Sequence, residues 1–182
     1  MIVGKPKQIA VTYEILARQP DSHFVFGTFC LYIDDKLIVG DGSDWTLNCL
    51  FEHFRKSKEL TELKETEVQK EVQFNKACTS RGYLLHDSNQ IDPTWWESDD
   101  PAIVEKVDLY LAEIDSMRTD PPFGNELPLY AELVDKNVKI FVFASKATER
   151  IIYSLDQGRT IAEKHVPQGT MKALIASLPE TI

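Results

Sequence analysis

The residues best suited to do chemistry are a run of acids that follows two adjacent tryptophans. Residues 91–108 have the sequence IDPTWWESDDPAIVEKVD. Two close carboxylates could serve as acid and base in a hydrolase, with tryptophan stacking on a sugar. The same residues could bind a basic protein, because carboxylates attract it and tryptophan is common in interface hot spots. The candidate partner-binding residues are Trp95, Trp96, Glu97, Asp99, Asp100 and Asp108.

Other motifs of catalysis and metal binding are missing from the sequence. The four histidines form no HExxH or i,i+4 pair, and the three cysteines form no CxxC. Neither a phosphate-binding GxxxxGK[ST] loop nor a GxSxG nucleophile motif occurs. We therefore predict no catalytic residue, no metal ligand and no cofactor, and we expect the protein not to be an enzyme.

The net negative charge of the protein comes from its middle segment. The net charge is −9, yet residues 86–135 contain thirteen acids and only two bases, a local charge of −11. The other 132 residues contain eighteen bases and sixteen acids. Such a segment repels phosphate, which argues against nucleic acid as a ligand. It favours electrostatic attraction of a basic protein partner.

Length and composition predict a single domain over residues 1–182. Hydrophobic residues make up 43% of the chain, enough for a substantial core. No apolar run approaches the roughly 20 residues that span a bilayer, and the N-terminus lacks the apolar block of a signal peptide. We therefore expect a cytoplasmic protein without membrane contact, whose cysteines are reduced and mostly buried.

Alternating apolar residues predict strands in the first quarter of the chain. Residues 8–16 have this pattern, and residues 23–33 are dense in β-branched and aromatic residues. Residues 37–40 are expected to return the chain as a hairpin. Gly27 within the second strand predicts a bulge or a close packing neighbour. A helix is expected to begin at Ser43 or Asp44 as its cap. Its apolar face is Leu47, Leu50, Phe51 and Phe54.

The middle of the chain gives weaker patterns. Residues 58–77 fit either an exposed helix or a strand at 68–74. Residues 86–101 look irregular, the alternation in VDLYLAEI (107–114) favours a strand, and RTDPPFGNELP (118–128) is typical of a loop.

The last third predicts three antiparallel strands and a closing helix. The strands are expected at 137–144, 149–155 and 160–166. The helix should begin at Gln168, Gly169 or Thr170, with an apolar face of Met171, Leu174, Ile175 and Leu178. The whole pattern predicts an α+β fold, a largely antiparallel sheet of about five to seven strands packed with two to four helices.

Both ends of the chain resemble the immunity protein 42 family of bacterial polymorphic-toxin systems. At the N-terminal end the features are the Gly-x-Pro before a strand ending in Tyr13-Glu14, the Phe-Gly-x-Phe-Cys strand at 26–30, and the Gly40-Asp41 pair before a helix. At the C-terminal end, a strand hairpin leads into the Pro-x-Gly turn at 167–169 and a final helix. Residues 57–135 are not matched.

The resemblance implies a cytoplasmic, non-enzymatic protein that binds and neutralises one cognate toxin domain, as in contact-dependent growth inhibition. The acidity of the chain suggests a basic toxin, for which a nuclease is the first candidate. Two alternatives stay open. One is a small acidic hydrolase with a carboxylate pair, which a pocket enclosing two close acids would favour. The other is a general protein-interaction adaptor.

Overall fold

The computed structural model describes residues 1–20, 23–40, 44–56, 61–62, 69–83, 95, 97–127, 138–144, 147–180 and 182. Over these residues the fold is α+β, as predicted, with ten strands in two sheets and four helices. Seven of the strands are four residues or longer. The pairing is largely antiparallel, and the prediction of fold class is confirmed.

The first sheet is built from the N-terminal strands. It contains β1 (Ile2–Lys5), β2 (Ile9–Arg18), β3 (Val25–Ile33), β4 (Lys36–Val39) and β5 (Asp44–Thr46). Their order is β1-β2-β3-β4, and β5 also pairs with β3. Every second residue of β3 is buried, which is the alternation expected when one face of a strand packs on a core.

Gly27 satisfies both parts of its prediction. The β2–β3 register shifts between Ile15 and Ala17, directly opposite this glycine. A Cβ atom at position 27 would lie 1.9 Å from the carbonyl oxygen of Glu14 and 2.7 Å from a methyl group of Leu47. Only glycine lets the neighbouring backbone and α1 (Leu47–Lys56) approach so closely.

The second sheet is built from the C-terminal strands and two short additions. It contains β6 (Thr61–Glu62), β7 (Asn125–Glu126), β8 (Lys139–Ala144), β9 (Thr148–Ser154) and β10 (Ala162–Pro167). β8, β9 and β10 pair antiparallel, and the closing helix α4 (Thr170–Ala176) follows, so the predicted ending is confirmed. β7 lies within the stretch predicted as a loop, and β6 pairs with β8 in parallel.

The hydrophobic core connects the two sheets. One cluster of buried residues combines side chains of β2 and β3 with the apolar faces of α1 and α4 and with one face of β8 and β9. Along β8, Ile140 and Val142 join this cluster, whereas Phe141 and Phe143 point the other way. Those two rings pack against Phe74 and Cys78 of α2 (Lys70–Thr79), so the second sheet is covered on both faces.

Two local predictions were wrong, and one open alternative is decided. Residues 107–114 are not a strand, because they lie inside the 17-residue helix α3 (Pro101–Met117). Residues 70–74 are helical, which decides for the helix against the strand at 68–74, but this helix is not simply exposed, because it buries Phe74, Ala77 and Cys78. Helix α1 begins at Leu47 instead of after a cap at residue 43 or 44, because Asp44–Thr46 pair with β3 as a strand.

The cysteine prediction holds in part. All three cysteines are free, but only Cys78 is buried, while Cys30 and Cys49 are half-buried. Burial raises the pKa of the Cys78 thiol to about 12, which keeps it protonated and unreactive.

Candidate partner-binding surface

The four predicted acids lie just before α3 and along it. Glu97, Asp99 and Asp100 lie immediately before the helix, and Asp108 lies on it. Eight residues at 1.5 Å each separate Asp100 from Asp108 by about 12 Å along the axis. All four carboxylates are exposed. We call these four residues the carboxylate strip.

Asp100 has a structural task as well as a charge. Its backbone is extended, and its side-chain Oδ1 accepts a hydrogen bond from the amide of Ala102 at 2.9 Å. Pro101 occupies the first helical position, where its missing N–H costs nothing. Asp100 is therefore the N-cap of α3. A substitution here changes the helix start together with the surface charge.

The two tryptophans differ in what the structure shows. Trp96 lies outside the described residues. Trp95 is half-buried, and the Lys106 ammonium lies 5.4 Å from the centre of its ring. Lys106 is the only base of α3. Its contact with Trp95 links the helix to the residues before it. Trp95 thus supports the start of the helix, with part of its surface still open to a partner.

Helix α3 is held by one narrow face. Its side chains that turn inward are Ile103, Val107, Tyr110, Ile114 and Met117, and of these only Val107 is fully buried. Helix α3 packs closely against Gly82 in the turn after α2. A Cβ atom added at Gly82 would lie 2.6 Å from a methyl group of Ile114. The amide of Thr119 donates to the Ser80 carbonyl at 3.0 Å.

Sequence reasoning missed the aliphatic residues on this helix. Val104, Leu109 and Leu111 are 41%, 65% and 40% exposed. A strand over 107–114 would have placed Leu109 and Leu111 on one face with Val107. The helix instead separates them, because each residue advances about 100° around the axis. A useful signal was present in Asp100-Pro101, a good cap followed by proline at the first helical position.

A group of interacting polar residues holds the chain beside α2. The Arg81 guanidinium donates to the carbonyls of Phe123 and Gly124, both at 2.6 Å, and lies 3.3 Å from the Glu126 carboxylate. The Tyr83 hydroxyl donates to the same carboxylate at 2.9 Å. Burial lowers the pKa of Arg81 and raises the pKa of Tyr83. These contacts stabilise the turn after α2, against which α3 packs.

One cavity of the described residues does not contain the predicted acids. It has a volume of about 700 Å³ and lies between α4 and the second sheet, with Val142, Met171 and Ile175 in its wall. Its buried carboxylate, Glu149, accepts hydrogen bonds from the amides of Gly169 and Met171 at 2.7 and 2.8 Å. Both oxygens are thus used at the start of α4, which points to a structural task.

The described residues form neither a metal site nor a membrane-spanning helix. Within those ranges, no group of three or more histidine, cysteine, aspartate or glutamate side chains is arranged to hold a metal ion. No helix in the same ranges has the length and apolar character to cross a membrane.

Comparison with known proteins identifies the family. A sequence model described as immunity protein 42 matches residues 1–181. The chain belongs to the immunity protein 42 family. The family resemblance seen at the two ends is therefore confirmed, and the match also spans residues 57–135. A comparison with curated proteins gives no match.

The fold of this chain is similar to that of a solved structure. The structure is the crystal structure of CdiI from Burkholderia dolosa AUO158, with a TM-score of 0.64. The alignment covers 98% of this chain and 97% of that chain, at 16% sequence identity. Similarity at this identity concerns the fold, and the binding surface has to be argued from the residues of this chain.

Proposed function

We propose that the chain is a non-enzymatic immunity protein that binds and neutralises a cognate toxin domain in the cytoplasm. The family match over residues 1–181 is the observation that carries this proposal. We also propose that the chain acts as one domain. Support comes from the hydrophobic cluster that joins the two sheets through α1 and α4. The hydrolase alternative receives no support from the predicted acids, because all of them with a described side chain are exposed.

We propose that the toxin binds at the carboxylate strip. Its acids lie on the surface of the chain's strongly acidic middle segment, where the net charge over residues 86–135 is −11. A basic toxin would be attracted to this surface, and charge steering accelerates association by roughly 10- to 1000-fold at low salt. A nuclease fits this description, because its phosphate-binding surface is basic and would accept carboxylates in place of phosphates.

The experiment is co-expression with the toxin domain encoded immediately upstream. The wild-type chain should co-purify with that domain and restore growth of cells that express it. The double variant Asp99→Lys/Asp108→Lys should associate roughly 10- to 1000-fold more slowly at low salt. Asp100 is excluded from this test, since lysine there would also remove the helix cap.

A matched control separates local from overall charge. Glu14 and Glu71 are exposed acids on β2 and α2. The variant Glu14→Lys/Glu71→Lys changes the net charge by the same amount but leaves the carboxylate strip intact. Equal loss of binding in both double variants would move the binding surface elsewhere. No complex and no restored growth with the wild-type chain would overturn the immunity function itself.

A further inference from the structure

One exposed flank of α3, beside its inward face, carries a regular stripe of aliphatic and acidic residues. Val104, Asp108, Leu111 and Asp115 follow one another at i, i+4, i+7 and i+11. At about 100° per residue, these four positions fall within roughly 60° of one another around the helix axis. We call them the α3 stripe. All four residues are exposed.

The α3 stripe differs from an ordinary solvated helix face. Such a face is polar, while the aliphatic residues point to the core. Here the inward face is already formed by other residues, and Val104 and Leu111 remain 41% and 40% exposed. Isolated exposed aliphatic residues are common on protein surfaces. Two of them in line with two carboxylates on a lightly held helix match the spacing of helix-in-groove recognition.

Charge determines the kind of partner that this face fits. Helix α3 carries four acids, Glu105, Asp108, Glu113 and Asp115, against the single base Lys106. A second copy of the chain would bring acids against acids, because a two-fold contact presents the same patch from both sides. Nucleic acid and anionic lipid would be repelled for the same reason. A basic protein groove with an apolar floor meets both features of the stripe.

We infer that α3 inserts its stripe into a basic, apolar-floored groove of the toxin domain. The inference rests on the proposed immunity function and extends its binding surface along α3 from Asp108, the last residue of the carboxylate strip, to Asp115. Val104 and Leu111 would enter the groove, and Asp108 and Asp115 would face cations on its rim. Asp115 already pairs with Arg118 at 3.1 Å, but both side chains are more than half exposed. Such a pair is weak and readily exchanged for a partner's cation.

The helix is built before the partner arrives. Asp100 caps its first turn, Pro101 fixes the first helical position, and Gly82 allows its last turn to approach α2. A preformed helix avoids most of the entropy cost that a disordered segment incurs when it orders on binding. Binding of the partner to the stripe therefore does not include the entropy cost of folding α3.

The test compares the aliphatic residues of the stripe with exposed aliphatic residues outside it. The variant Val104→Ser/Leu111→Ser removes both aliphatic residues of the stripe. The control Leu109→Ser/Val72→Ser makes the same two changes elsewhere: Leu109 lies about 160° around α3 from Leu111, and Val72 lies on α2. Leu109 and Val72 are 65% and 52% exposed, so the control removes aliphatic residues that are more exposed than those of the stripe.

Affinity for the toxin domain encoded immediately upstream is the readout, with circular dichroism melting as a check on folding. The stripe variant should bind roughly 30-fold more weakly or worse, the loss typical of two central apolar contacts. The control should bind within about threefold of wild type. If the stripe variant binds as tightly as the control, the helix-in-groove inference is overturned and the immunity function stands.

A second measurement covers the case in which the stripe variant fails to fold. A photocrosslinking residue, p-benzoylphenylalanine, is placed at position 112 beside the stripe or at position 72 on α2. Ultraviolet light should link the toxin domain to position 112 and not to position 72. Crosslinks only at position 72 would overturn the inference. A wild-type chain that neither binds the domain nor restores growth would overturn the proposed function, and the inference with it.

Discussion

Helices α1 and α3 are both amphipathic, yet they use their apolar residues in opposite ways. α1 has ten residues and buries Leu47, Leu50, Phe51 and Phe54 almost completely. α3 has seventeen residues and buries only Val107. α1 therefore belongs to the scaffold that joins the sheets, whereas α3 is held by a narrow face and offers the rest of its surface to solvent or to a partner.

The contrast separates what stabilises the fold from what we propose binds the toxin. A residue of the scaffold should affect the free energy of unfolding, with little direct effect on affinity in chains that fold. A residue of the α3 stripe should affect affinity for the toxin, with little effect on the free energy of unfolding. The substitutions below test that division, in order of decreasing effect on stability.

The largest difference should come from truncating one apolar residue in each helix. Phe51→Ala in α1 removes a fully buried ring that packs edge-on against Tyr13, with 4.9 Å between ring centres. We expect it to lower the free energy of unfolding by about 3–5 kcal/mol. Leu111→Ala in α3 should change it by less than about 0.5 kcal/mol. Urea denaturation measures both, and similar losses in the two variants would contradict the division.

Glu149 should be the most important polar residue of the scaffold. Glu149→Ala leaves the amides of Gly169 and Met171 without their acceptor at the start of α4. We expect a loss of about 2–3 kcal/mol, because hydrogen bonds to charged groups are strong and the site is buried. Glu149→Gln keeps one acceptor oxygen and should lose less. A Glu149→Ala variant as stable as wild type in urea would show that α4 does not depend on this carboxylate.

Gly82 should affect both stability and binding, because α3 packs directly against it. Its φ of +72° disfavours any other residue, and an added Cβ would meet Ile114 and Arg118. Gly82→Ala should cost about 1–2 kcal/mol in urea denaturation and weaken binding to the toxin domain.

A matched control exists at Gly169. This glycine has a φ of +84° and no atom within 4 Å of an added Cβ. Gly169→Ala therefore carries the backbone strain without displacing a neighbouring helix, and it should leave toxin affinity unchanged. Equal affinity losses for the two variants would mean that the position of α3 does not matter for binding.

The cap of α3 should affect stability less than Phe51, Glu149 or Gly82. Asp100→Ala removes the acceptor for the Ala102 amide and should cost about 1 kcal/mol, whereas Asp100→Asn keeps a good cap and should cost close to nothing. Thermal unfolding compares the two. Both variants remove one charge from the carboxylate strip, so a difference between them in toxin affinity reports the helix start and not the charge.

The scaffold could be predicted from the sequence because its local patterns and its burial agree. β3 alternates with a period of two, and the apolar residues of α1 and α4 repeat with helical spacing. In each element the apolar face is also the buried face, so the pattern alone identifies both the element and its orientation.

The candidate surface could be predicted only in its charge. The acids are visible in the sequence wherever they lie, but the exposed aliphatic residues depend on the type of secondary structure. Val107, Leu109 and Leu111 alternate as in a strand, while Ile103, Val107, Tyr110, Ile114 and Met117 repeat as in a helix over a longer span. The shorter pattern predicts a strand, which would place Leu109 and Leu111 on one face. The hydrogen bonds of Glu149 could not be predicted from the sequence either, because the amides that donate to it are twenty or more residues away along the chain.

Hydrogen exchange of the chain, free and bound to the toxin domain encoded upstream, tests the central claim most directly. The account predicts that binding slows amide exchange in residues 97–117 and leaves α1 and the wall of the cavity beside α4 unchanged. A tight complex in which residues 97–117 exchange as fast as in the free chain, with new protection elsewhere, would contradict it.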